Sequence, residues 1–288
     1  MYQLIDNQQI EFPVAEQCAV LKVSRSGFYA WKNGRSHQPS EADEQLFSRL
    51  SERFAFHKKR YGSRRLQAEL AAEFDQKSSR HRIRRWMKRG GMVAIQPRSF
   101  VPRTTDSRHT RQPAPNLLAE RKISHLNEAW VGDITYLPMA DGSFSYLATW
   151  IDVHSRRVVG WHVERHMRAE LIEKALEKAV LRRKQIPDGL LIHSDRGSQY
   201  ASTSFRNLLV KRKMTQSMSD RDNPYDNAMA ESFFSRLKAE SIQKTRFQSI
   251  EELRNHLFDF IDGYYNSVRL HSAIKYKSPI QFENLLLI

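Results

Sequence analysis

Three acidic residues carry the chemistry this chain could perform: Asp133 in WVGDITYLP, Asp195 at the end of LLIHSD, and Glu231 in DNAMAESFFSRLK, with 35 residues between the last two. Carboxylates suit hard divalent ions, and Mg²⁺ usually keeps waters while binding through a few carboxylates and substrate phosphate. Two such ions about 4 Å apart can activate an attacking oxygen and stabilise a leaving one in phosphodiester chemistry. Taken singly, each residue is one acid among 32, and a solvated surface group is the alternative reading. Their contexts separate them from that background, because each falls at a different structural edge.

The elements around them follow from hydrophobic period. AWVGDITYLP is a β-rich run, Asp141-Gly142 is a hairpin signal, SFSYLATWIDVHS is a second strand and RRVVGWHVE a third, which together predict an antiparallel meander. Residues 168–184 then form an amphipathic helix with Leu171, Ile172, Ala175, Leu176 and Ala179 inward. GLLIHSD is a short apolar strand expected parallel to the first. A helix over 202–213, a brief strand near TQSMS and a final helical region from 226 to 240 complete the order.

Composition bounds the partners. The chain has 288 residues, 40% of them hydrophobic, enough to bury a sizeable core in about two domains. Its net charge of +15 points to a polyanionic partner, although ribosomal or anionic-membrane binding would fit charge alone. No run of 18 apolar residues occurs and mean hydropathy is −0.64, so the expectation is a soluble, cytoplasmic protein with no membrane partner. Cys18 is the single cysteine, which excludes an intramolecular disulfide and any Cys-rich zinc site.

The positive charge is concentrated upstream: residues 1–120 carry +10 and residues 121–288 carry +5. AEQCAVLKVSRSGFYAWK reads as two short helices, the second capped by Ser24 and carrying Phe28, Tyr29 and Trp31. It is either a helix-turn-helix or a small helical hairpin using those aromatics as core. A second unit follows, with Leu46, Leu50 and Phe54 at helical spacing, then Leu66 and Leu70, then RHRIRRWMKR capped by Ser79 and closed by Gly90 and Gly91. In that last helix Ile83, Trp86 and Met87 can pack inward. Arg80, Arg82, Arg84, Arg85, Lys88 and Arg89 then face either DNA phosphates or plain solvent.

Residues 97–116 are rich in Pro, Ser, Thr and Arg, and read as a basic linker that follows a phosphate backbone or serves as a plain tether. The domain expectation is a helix-turn-helix-like segment at 1–35, a helical DNA-binding domain at 40–96, a basic linker at 97–120, and a catalytic core with a helical tail at 121–288.

The strand and helix order resembles a ribonuclease H-like domain: an α/β mixed sheet flanked by helices, here preceded by an all-α helix-turn-helix region. The resemblance becomes specific in WVGDITY, HSDRGSQY, DNPYDNAMAESFFSRLKAE and YYNSVRLHSAIKYKSP, with SRSGFYAW and YGSRRL upstream. These resemble the DDE transposases of the bacterial insertion-sequence-three family, the OrfB product, within the retroviral integrase superfamily. The match covers essentially the whole chain.

The resemblance implies that Asp133, Asp195 and Glu231 bind two Mg²⁺ ions, with Mn²⁺ able to substitute. It places Asp133 in the middle of the first strand, Asp195 at the end of its neighbour, and Glu231 on a helix packed across that end. Lys238, about two helical turns beyond Glu231 on the same face, matches the family's basic residue for terminal DNA; a solvated lysine is its alternative. His193 either supports Asp195 or is a packed histidine. Asp222, Asp226 and Asn227 shape the loop before the helix rather than ligate metal. Asn266, Arg269 and His271 touch DNA or dock the tail.

The implied reaction is metal-dependent 3′-end cleavage followed by strand transfer, with a circular element intermediate. Implied partners are terminal inverted repeats, target DNA, further copies of the chain on DNA, and an upstream-frame OrfA product or fusion. Two departures stand out. One cysteine cannot build the His/Cys zinc domain of retroviral integrases, and Phe74-Asp75-Gln76 replaces a turn that commonly holds Gly in the family. The alternatives in other classes are a ribonuclease H-like nuclease or resolvase, and a catalytically silent DNA-binding repressor.

Overall fold

The computed structural model describes residues 1–34, 39–97, 113–220, 227–243 and 245–286. Most of the linker expected at 97–120, together with Asp222 and Asp226, lies outside them. The chain divides into two compact units, Met1–Val93 and Ala94–Ile288.

The first unit is helical. α1 (Tyr2–Gln8), α2 (Val14–Val20) and α3 (Arg25–Lys32) pack around Ile5, Cys18 and Phe28. α1 has no counterpart in the sequence reading, because Ile5 is its only buried residue and leaves no apolar period to detect. Ser24 caps α3 by accepting the Gly27 N–H at 2.9 Å, so the short turn between α2 and α3 forms as expected. Phe28 is fully buried and Tyr29 is exposed, so the aromatics are divided between core and surface.

α4 (Glu41–Phe56), α5 (Ser63–Phe74) and α6 (Arg80–Arg89) enclose Leu46, Leu50, Phe54, Leu66, Leu70, Ile83, Trp86 and Met87. Asp75 ends α5 in the left-handed conformation, φ +47°, and Gln76 N–H reaches Leu70 O at 3.1 Å. The turn that departs from glycine therefore keeps a glycine-like geometry, which Asp tolerates better than bulkier residues.

The second unit is built on a five-stranded sheet of order β3-β2-β1-β4-β5. β1 (Ala129–Pro138), β2 (Phe144–Asp152) and β3 (Val158–Glu164) form the antiparallel meander. The first turn uses Gly142 at φ +80°, with Asp141 Oδ1 accepting from Ser143 N–H at 2.9 Å. β4 (Leu191–Ser194) lies parallel to β1, and β5 (Thr215–Met218) parallel to β4.

Strand alternation supplies both faces with apolar side chains. Trp130, Ala148 and Trp150 meet α7 (Ala169–Arg183) and α8 (Thr203–Lys211) on one face. Val131, Leu137, Leu147 and Ile151 meet α9 (Ala228–Leu237) and α10 (Ile250–Phe258) on the other. α9 and α10 continue as wider π-type turns over Lys238–Ile242 and Asp259–Asn266, and α11 (Pro279–Leu286) closes the tail. This is the mixed ribonuclease H-like sheet flanked by helices. Among the described residues no helix is long and apolar enough to cross a membrane.

Candidate active site

The two aspartates meet through strand register. β1 and β4 pair from Ala129↔Leu191 to Gly132↔Ser194, so Asp133 and Asp195 are the next residues on neighbouring strands, whose axes lie about 4.8 Å apart. β4 ends there while β1 continues, leaving a notch at the carboxyl ends of parallel strands, where open α/β sheets place ligands. Asp195 Oδ1 accepts from Gly197 N–H at 3.0 Å as the chain turns away.

Alternation puts Asp133 with Val131 and Leu137 on the face covered by α9. Asn227, buried at the N-terminus of α9, donates from Nδ2 to Gly132 O at 3.4 Å and ties that helix to the rung before Asp133. Glu231 lies one turn further along, its N–H bonded to Asn227 O at 3.2 Å.

Electrostatics join these positions. Burial, then the Asp195 carboxylate and to a lesser degree Glu231, push Asp133 well above the ordinary carboxylate range; the Ile134 N–H, 2.8 Å from Asp133 Oδ1, and Lys238 oppose the rise. Burial and then Asp195 push Glu231 up as well. Burial lowers Lys238, against the pull of Asp133. Like charges held together disfavour ionisation, and a divalent cation reverses that balance. The donor set is all oxygen, which fits Mg²⁺ or Mn²⁺. The three carboxylates are neighbours rather than a closed cage: among the described residues no three of His, Cys, Asp and Glu are drawn up tightly enough to hold an ion.

Lys238 follows α9 in right-handed geometry, so its seven-residue spacing keeps it on the Glu231 side, with its ammonium 4.4 Å from the Tyr136 ring centroid. His193 is fully buried and shares hydrogen bonds with Ser217 Oγ at 2.9 Å and Ser219 Oγ at 3.2 Å. Of its two readings, the packed histidine is the one the geometry supports.

The tail residues divide in the same way. Arg269 is buried and grips Glu240 through Nε and Nη2 at 2.9 and 2.6 Å. Asn266 is buried and exchanges hydrogen bonds with Val158 N–H and O, both at 3.0 Å. His271 sets its ring against Tyr265 at 4.7 Å. Asn266 thus joins the tail to β3 and Arg269 joins it to the turn after α9, contacts that belong to the docking reading of these two residues. On α6, Ile83, Trp86 and Met87 face inward while Arg84, Arg85, Lys88 and Arg89 are exposed. Arg82 differs from these four: it binds Asp43 at 2.8 Å, the carboxylate that also accepts from Trp86 Nε1 at 3.0 Å.

Sequence reasoning missed three residues around the notch, Gly132, Thr149 and Tyr200. Gly132 admits the Trp150 ring, since a Cβ there would lie 2.3 Å from it. Thr149 is the direct cross-strand partner of Asp133. Asn227, read from the sequence as shaping the loop before the helix, is buried at the start of α9. Tyr200, inside the quoted HSDRGSQY motif, is buried with no hydrogen-bond partner for its hydroxyl among the described residues, and burial, then Asp133 and Asp195, raise its phenol well above the usual value. Gly132 and Tyr200 had a signal available, their place within WVGDITY and HSDRGSQY; Thr149 depends on pairing.

The integrase core domain family matches residues 124–224 and 212–279, and an HTH-like domain family matches 41–100. The chain is 37% identical over 289 residues to "Transposase InsF for insertion sequence IS3A" of Escherichia coli (strain K12), covering 98% of each chain. It is 37% identical over 266 residues to "Insertion element IS600 uncharacterized 31 kDa protein" of Shigella sonnei, covering 92% of this chain and 96% of that one. Among solved structures it is similar to a chain of the simian T-cell lymphotropic virus intasome, at 16% identity and a TM-score of 0.45, covering 75% of this chain and 73% of that one. The HTLV-2 integrase catalytic core domain in complex with magnesium gives 15% identity and a TM-score of 0.41, covering 54% and 95%.

Proposed function

The chain belongs to the transposases of the IS3 insertion sequences, and from that membership we propose that it cleaves the 3′ ends of its element and joins them to a second DNA strand. The observation that carries this reading is the register that puts Asp133 and Asp195 on adjacent strands with Glu231 within their electrostatic reach.

Asp133, Asp195 and Glu231 would hold two Mg²⁺ ions, or Mn²⁺ in their place. When bound, the metal supplies activation of the attacking oxygen and charge neutralisation at phosphorus. The chain's own residues orient the DNA. The exposed cations of α6 grip the phosphate backbone without reading sequence, and Lys238 directs its ammonium to the terminal phosphates. In the first step water adds to phosphorus and the element's 3′ oxygen leaves with a proton. In the second, that 3′-hydroxyl forms a new bond to phosphorus of the other strand, whose own 3′ oxygen departs. No covalent protein intermediate is formed. Terminal inverted repeats and target DNA are the substrates, bound by more than one copy of the chain.

The test is a labelled terminal-repeat duplex incubated with Mg²⁺. Asp133→Asn, Asp195→Asn and Glu231→Gln should each abolish cleavage while leaving duplex binding nearly unchanged. Cleavage surviving any one of them overturns the site. Hydrolysis without joined product replaces the reading with a nuclease, and binding without any cleavage by the wild-type chain replaces it with a repressor.

A further inference from the structure

Thr149 sits directly opposite Asp133 across the β1–β2 ladder. Paired residues of an antiparallel ladder project to the same face, with Cβ atoms about 4.5–5.5 Å apart. Thr149 is 1% exposed, and its hydroxyl has no hydrogen-bond partner among the described residues. A buried hydroxyl without a partner is costly, and an apolar residue of the same shape would avoid the cost. Val is such a residue, and like Thr it is β-branched and suited to a strand. Asp133 Oδ1 is engaged by the Ile134 N–H, on the strand itself.

We propose that Thr149 is a positioning residue for the active site: its hydroxyl donates to the Asp133 carboxylate when that carboxylate is ionised and holding metal. The proposal rests on the metal-ligand reading of Asp133. Outer hydrogen bonds of this kind orient a ligating carboxylate, and losing one typically costs about 10–100-fold in metal affinity or activity. The orphaned hydroxyl is then a group whose partner is present in the loaded state.

Ser145 supplies the control. It lies on the same strand and the same face, opposite Leu137, and is likewise fully buried with an unpartnered hydroxyl, but it has no carboxylate across from it. The experiment compares the full-length wild type with Thr149→Val, Thr149→Ser and Ser145→Ala. Thermal unfolding is followed without metal and over a MnCl₂ titration, and the Mg²⁺ concentration for half-maximal strand transfer is measured alongside.

Thr149→Val should unfold at the same or a higher temperature without metal. It should need about ten-fold more Mn²⁺ to reach the wild-type stabilisation, with a parallel rise in the Mg²⁺ requirement. Thr149→Ser should restore both, and Ser145→Ala should match wild type in both. A Thr149→Val protein with the wild-type metal response overturns the proposal, as does an equal loss in Ser145→Ala. Failure of the wild type itself to respond to either ion removes the metal-site reading, and this proposal with it.

Discussion

Asp133 and Asp195 occupy the first rung beyond the paired segment of β1 and β4, one residue past the Gly132–Ser194 pair. On that rung burial and then the Asp195 carboxylate raise the cost of ionising Asp133. An acid whose folded-state pKa is raised binds its proton more tightly in the folded chain. Its stabilising effect is whole below the unfolded value, near 3.8 for Asp133, and is lost as pH rises through the folded value.

Asp133→Asn should therefore stabilise the metal-free protein at neutral pH while abolishing cleavage. The gain should shrink as pH falls toward 3.8 and vanish below it, where Asp133 is protonated in both states. Each ~1 kcal/mol relieved raises the melting temperature by about 2–4 °C for a unit of this size. Melting curves of both proteins across pH, with and without Mg²⁺, check the sign; a variant less stable than wild type at neutral pH contradicts it.

Gly132 controls how closely Trp150 can approach that rung. A Cβ at Gly132 would stand 2.3 Å from the Trp150 ring, so Gly132→Ala should cost about 1–3 kcal/mol through overpacking and displace Asp133. Urea unfolding should show the loss, and the double variant Gly132→Ala/Trp150→Leu should recover part of it because the two positions touch. Additive effects would mean that the ring is not what Gly132 accommodates.

The basic face of α6 should act through phosphates alone. Replacing Arg84, Arg85, Lys88 and Arg89 by Ala should weaken duplex binding regardless of sequence. It should also flatten the dependence of log K on log salt by about 0.9 per lost phosphate contact. Folding should persist, because Ile83, Trp86 and Met87 hold the helix. Arg82→Ala should instead lower stability, since it strips Asp43 of its cationic partner. Fluorescence-anisotropy titrations at several salt concentrations, with parallel melting curves, separate the two classes.

Arg269 and Glu240 form a buried, two-pronged ion pair that fastens the tail to the turn after α9. Arg269→Ala should leave Glu240 buried and unpaired at a cost of about 3–5 kcal/mol. Replacing both, as Glu240→Leu/Arg269→Met, should recover most of the loss. A reduction in DNA binding without a stability change in the single variant would return Arg269 to the DNA interface.

Much of the fold was legible locally. The β-rich runs WVGDITYLP and SFSYLATWIDV, the Asp141-Gly142 turn, the Ser24 and Ser79 caps and the apolar stripe of residues 171–179 each describe a few neighbouring residues, and each formed where expected. α1 escaped because one buried side chain has no period. The tail residues were ambiguous for a different reason. Arg, Asn and His serve equally to bind phosphate and to satisfy buried partners, and the choice depends on what lies opposite them in space.

By itself the sequence determined which residues could do the chemistry, and the family motifs that contain them. Side-chain type, local period and motif order are properties of the chain alone. Tertiary structure decided which of those residues share a site. Strand register carries Asp195 beside Asp133, Asn227 ties α9 to Gly132, and Thr149 faces Asp133 from β2. Register is a relation between segments far apart in sequence, set by burying both faces of the sheet at once, and a one-residue slip of β1 or β2 would turn Asp133 or Thr149 to the opposite face.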